Sequence, residues 1–105
     1  MTKQELQKLS EALIKANECA LECANVADNG SCNFDTPLLL VKMTEKQAET
    51  LPVKVSKCRY GIWKGCWFVH GNLFGMGNRR TTMAEAISKS LNESGFDSAV
   101  YYQLD

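Results

Sequence analysis

Residues 53–70 read VKVSKCRYGIWKGCWFVH, and this stretch decides the fold. Val53, Val55 and Lys57 alternate with Lys54, Ser56 and Cys58, which marks a strand with one wetter face. Residues 61–65 turn the chain between two glycines. Cys66-Trp67-Phe68-Val69-His70 is then a strongly β-prone strand. The two runs make an antiparallel pair, and the elements on either side of that pair set the topology.

Upstream, Leu38-Leu39-Leu40-Val41 is a short apolar run suited to a strand buried on both faces. Pro37 closes the loop at 31–37 and holds the residue before it extended. Thr44 and Gln47 form a capping box for a short helix over about 45–51, which Pro52 stops. Downstream, Met83, Ile87 and Leu91 recur every four residues in a helix over about 80–94. Asn78, or the box Thr82 with Glu85, caps it, and Gly95 ends it. A final strand spans 98–104, with Ala99, Tyr101 and Gln103 on one face and Val100, Tyr102 and Leu104 on the other. The order β–α–β–β–α–β predicts an α+β domain of ferredoxin-like type. Its four-stranded antiparallel sheet carries two helices on one face, and both crossovers are right-handed.

A long helix precedes this core, over about 2–28. Thr2 and Glu5 form a capping box. Leu6, Leu9, Leu13, Ala16, Ala20, Cys23 and Ala27 make one stripe, and Asp28-Asn29-Gly30 ends it. It is expected to cover the open sheet face or to act as a dimer arm. The 105 residues form one domain, with this helix at about 2–28 and the core at about 37–105.

Twelve basic residues balance twelve acidic ones, so bulk charge does not drive the chain onto nucleic acid, and any anion site is local. No apolar segment resembles a signal peptide or approaches the roughly 18 residues of a membrane span. Five cysteines, an odd number, read as free thiols in a reducing, cytoplasmic setting.

The clearest chemical pattern is Gly71-Asn72-Leu73-Phe74-Gly75-Met76-Gly77-Asn78-Arg79-Arg80-Thr81-Thr82. A glycine-rich turn entering a helix can hold an anion with its unpaired N–H groups. No Gly-Lys-Ser/Thr follows, and Gly75-x-Gly77 lacks the third glycine of a dinucleotide fingerprint. Arg79 and Arg80 remain, set against the helix dipole and in need of an anionic neighbour. That neighbour is a phosphate or carboxylate on a partner, or an internal acid such as Asp35. Gly75, Gly77, Asn78, Arg79 and Arg80 are therefore the candidate anion-binding set, with Phe34, Trp67 and Phe74 as contact aromatics.

Other chemistry has less support. Lys64-Gly65-Cys66-Trp67-Phe68-Val69-His70-Gly71 matches an RNA-recognition strand at Lys64, Gly65, Phe68 and Val69, but Cys66 and Gly71 replace aromatics. A nucleic-acid module is thus the alternative reading, not the favoured one. Cys66 and His70 share a strand face more than ~10 Å apart, too far for one zinc ion. Cys32 or Cys58 with His70 and Asp35 can be drawn as a thiol nucleophile, its base and an orienter, without support from local sequence. No catalytic residue, metal or cofactor is expected.

Three blocks carry a resemblance. They are Asp28-Asn29-Gly30-Ser31-Cys32-Asn33-Phe34-Asp35-Thr36-Pro37, then Gly75-Met76-Gly77-Asn78-Arg79-Arg80-Thr81 with Ala84-Glu85-Ala86, and Val100-Tyr101-Tyr102-Gln103. They resemble small proteins carried by phages and integrative elements of gut Firmicutes. The resemblance implies a non-enzymatic protein in the host cytoplasm that binds a host protein or nucleoprotein, and the arginine pair suits a partner with an acidic surface. Anti-CRISPR inhibitors of a Cas nuclease are one such class.

Overall fold

A computed structural model of the chain describes residues 1–23, 35–70 and 77–102. The expected helix end at 28–30, Cys32, Phe34, Phe74, Gly75 and the strand residues 103–104 lie outside the described residues. Three helices and four strands follow in the order α1 (Lys3–Glu22), β1 (Thr36–Leu39), α2 (Glu45–Glu49), β2 (Val55–Lys57), β3 (Trp67–Val69), α3 (Gly77–Glu93) and β4 (Ser98–Tyr101). Both capping boxes form. Thr2 Oγ1 accepts from the Glu5 N–H at 3.1 Å while Glu5 Oε1 accepts from the Thr2 N–H at 3.0 Å. Thr44 and Gln47 repeat the pattern at 3.1 and 3.0 Å. Among the described residues no helix is long and apolar enough to cross a membrane.

The sheet runs β2-β3-β1-β4, and every neighbouring pair is antiparallel. Its alternation separates two faces. Leu39, Val55, Trp67 and Val69 face the helices and join Leu9, Leu13, Ala16, Ala20, Ala48, Met83, Ile87 and Leu91 in one core. Thr36, Leu38, Ser56, Phe68, Ala99 and Tyr101 occupy the opposite face by register. The N-terminal helix therefore does not lie across that second face. It packs on α3, in the layer where α2 is too short to cover the sheet, and its small residues Ala12, Ala16 and Ala20 are buried.

Several boundaries differ from the sequence expectation: α2 ends at Glu49, β2 covers only Val55–Lys57, and two further shifts bear on the site. Pro37 sits within β1, opposite Val100 of β4, rather than in the preceding loop. The Leu40 N–H donates toward β4, to the Asp97 carbonyl, so by alternation the missing N–H of Pro37 falls on the β3 side. There β1 pairs with β3 at Leu38 and Leu39, and the ladder stops at Pro37, which has no donor to offer Val69 opposite it. The second of these shifts is in α3, which begins at Gly77 and not at 80, so Asn78 lies inside the helix.

The β2–β3 connection contains a 3-10 turn at Gly61–Trp63 and closes with a bulge. The Gly65 N–H donates to the Cys58 carbonyl at 2.9 Å, and the Cys58 N–H to the Cys66 carbonyl at 2.8 Å. Two residues thus oppose one, with Gly65 at φ +91°, a conformation that side chains resist. Gly65→Ala is expected to lose roughly 1–2 kcal/mol on this account, measured by urea denaturation. Nothing lies within 4 Å of the added methyl, so a loss is due to backbone strain, not to a clash.

Candidate functional site

Arg80 is half-buried in the first turn of α3. Its Nε donates to the Asp35 main-chain carbonyl at 2.7 Å, and its Nη2 donates to Thr36 Oγ1 at 3.2 Å. Asp35 is 2 % exposed, and its Oδ2 accepts from Thr81 Oγ1 at 2.6 Å. Burial holds the Arg80 pKa below its ordinary value, and the Asp35 charge opposes that fall. Arg79 is also half-buried and is itself engaged. The guanidinium thus fastens the start of β1 to the start of α3. Of the expected aromatics, Trp67 is 3 % exposed and faces the helices, with the Lys57 ammonium 5.8 Å from its ring centroid. Its Nε1 has no acceptor among the described residues.

The structure brings forward a different region. At the tip of the β2–β3 hairpin, Tyr60 is 85 % exposed and Ile62 is 91 % exposed. Trp63 is half-buried between them and Lys64, and Lys57, Arg59 and Lys64 are exposed around the tip. Arg59 Nη2 lies 3.3 Å from Glu45 Oε1 in an ion pair that is mostly in solvent, which contributes about 0–1 kcal/mol. The sequence did carry a signal for this patch. No Asp or Glu occurs between Glu49 and Glu85, yet six of the twelve Lys and Arg fall there. The neutral total hides a basic middle.

On the helix-free face, Phe68 and Tyr101 meet edge to face, with centroids 5.6 Å apart and planes at 84°. They reach toward each other across β1, where Leu38 is fully buried. An open groove of about 370 Å³ lies beside them, lined by Lys57, Cys58, Arg59, Tyr60, Phe68 and Tyr101.

His70 Nε2 lies 2.6 Å from Ser56 Oγ on the same face. A serine–histidine contact is part of a nucleophilic constellation, but among the described residues no carboxylate orients this ring. Nor does His70 line a groove with Cys58. Burial, then the Lys54 and Arg80 charges, pull the His70 pKa below its ordinary 6.5. As pH falls, the unfolded chain takes up the proton before the folded one, so stability rises with pH through this window and is lost below about 6.5. His70 is the one histidine in the chain, so an NMR titration reads it directly. We expect a midpoint below 6.5, and a smaller fall in Tm between pH 7.5 and 5.5 in His70→Gln than in the wild type. Among the described residues no three His, Cys, Asp or Glu side chains are grouped to hold a metal. Comparison with protein-family models, curated proteins and solved structures gives no match.

Proposed function

We propose that the chain is a small non-catalytic binding protein with a ferredoxin-like core. It docks its β2–β3 hairpin tip on a partner protein that is apolar at the centre of the contact and acidic at the rim. The observation that carries this reading is the exposure of Ile62 and Tyr60 on one short turn, inside a ring of Lys57, Arg59 and Lys64. A single exposed apolar residue is ordinary, but Tyr, Ile and Trp adjacent on a protruding turn make a compact anchor. The cations around it steer association with an acidic surface. The strand order and pairing support the ferredoxin-like assignment.

The resemblance to small phage and integrative-element proteins makes a host protein or nucleoprotein the partner to test first, a Cas nuclease among them. The test is affinity capture from host lysate with the wild type and Ile62→Asp side by side, followed by a nuclease-inhibition assay on any captured Cas protein. The expected result is one specific protein held by the wild type and released by the variant. Capture of the same proteins by both overturns the proposal.

A further inference from the structure

We propose a second binding function, on the sheet face that adjoins the tip and shares Arg59 with it. The helix-free face of the sheet takes single-stranded nucleic acid, with one base packed on the Phe68–Tyr101 pair and its phosphate on Arg59.

Four observations lead there. All three helices contribute to the core on the Leu39–Trp67–Val69 side, so among the described residues no helix packs on the other face. That face carries a two-ring platform, because Phe68 of β3 and Tyr101 of β4 close over β1. Beside the rings lies a groove of about 370 Å³, within the ~300–1,000 Å³ range of small-ligand clefts. The charge around it is cationic. Arg59 lines the groove, and so does Lys57, although its ammonium turns to the Trp67 ring on the helix side; among the described residues no Asp or Glu lines it.

Glu45 holds Arg59 only through a largely exposed ion pair, which a phosphate can replace. The carboxylates of Glu85 and Asp35 act at the other edge, where they raise the Tyr102 pKa after burial does. A strand would therefore run along the β2–β3 side and avoid the end of β4.

This arrangement selects single strands. A base must leave its stack before its flat face can meet Phe68 or Tyr101, and a duplex hides those faces. Phe68 falls where the RNA-recognition pattern of β3 places a stacking aromatic. The second ring comes from β4, because β1 offers only Leu38 and position 66 is a cysteine. Trp67 is buried on the helix side, so its fluorescence is no reporter of this site.

The experiment is fluorescence anisotropy of fluorescein-labelled 12-mers of oligo(dT) and oligo(rU), and of a 12-base-pair duplex, with the full chain at 50 and 200 mM NaCl. We expect saturable single-strand binding, tighter than to the duplex. It should weaken about 3- to 7-fold between the two salts, as one to two phosphate contacts require. Tyr101→Leu and Arg59→Gln should each lose at least about fivefold, with far-UV circular dichroism unchanged. Phe68→Tyr should keep the affinity, and so should Ile62→Asp, which removes the protein-docking tip and leaves the sheet face intact. Absence of binding up to 100 μM protein overturns the proposal. So does equal affinity for the duplex, or a Tyr101→Leu protein that binds like the wild type. Loss in Ile62→Asp without loss in Tyr101→Leu also overturns it, by moving the strand to the tip.

Discussion

Asp35→Ala is expected to destabilise the fold by about 2–4 kcal/mol and to lower Tm by roughly 10–20 °C. Asp35 is almost wholly buried, and its carboxylate accepts the Thr81 hydroxyl. Its charge also favours the Arg80 cation, which burial disfavours. Alanine removes both at once. The Thr81 hydroxyl loses its acceptor, and a half-buried guanidinium loses its nearest compensating charge. The loss stays below that of a fully buried pair because Arg80 keeps part of its solvent contact, and because the Asp35 carbonyl still accepts its Nε. Asp35→Asn keeps an oxygen for Thr81 and should recover about half of the loss. Thermal unfolding of the three proteins at pH 7 decides it. An Asp35→Ala protein within about 0.5 kcal/mol of the wild type would mean that this junction is not an anchor of the fold.

The second large effect lies at the tip and leaves stability alone. Tyr60→Ala with Ile62→Asp changes two side chains already in water, so Tm should move by no more than about 2–3 °C. Partner affinity should fall at least about 30-fold, the effect of removing one hot-spot residue worth ~2 kcal/mol, and further if both anchors act. Measuring Tm and capture on the same preparation separates a lost contact from a lost fold. Arg79→Ala with Arg80→Ala should show the reverse pattern, a less stable protein whose tip is unchanged.

The capping residues made the helix starts legible. Thr2 with Glu5, and Thr44 with Gln47, leave a local mark that tertiary packing does not override. The start of α3 was harder to place because Asn78 and Thr82 can both cap. The helix takes neither, and begins at Gly77. Pro37 misleads for a general reason. Prolines avoid central strands because they lack a donor, and here the β1–β3 ladder ends at Pro37 while β4 still pairs through it, at Val100.

The candidate site was legible in part. Asp35 was the right neighbour for Arg80, but the contact uses its main-chain carbonyl, and a backbone acceptor has no residue type to betray it. The tip was missed because exposure at a turn has no periodicity. The acid-free run around it was the available signal, and a whole-chain charge of zero concealed it. The Phe68–Tyr101 contact joins residues that lie far apart in the chain, and only the β3-β1-β4 order brings them together.

The packing of α1 on α3 has a consequence for the chain as it is being made. Leu9, Leu13, Ala16 and Ala20 leave the ribosome well before their partners Met83, Ile87 and Leu91. Roughly 55 residues separate the two helices, which at ~5–20 residues per second means several seconds of waiting. Throughout that interval the newborn amphipathic helix has an uncovered apolar stripe. It is then open to capture by a chaperone or by another nascent chain, and only the synthesis of α3 lets it enter its own fold.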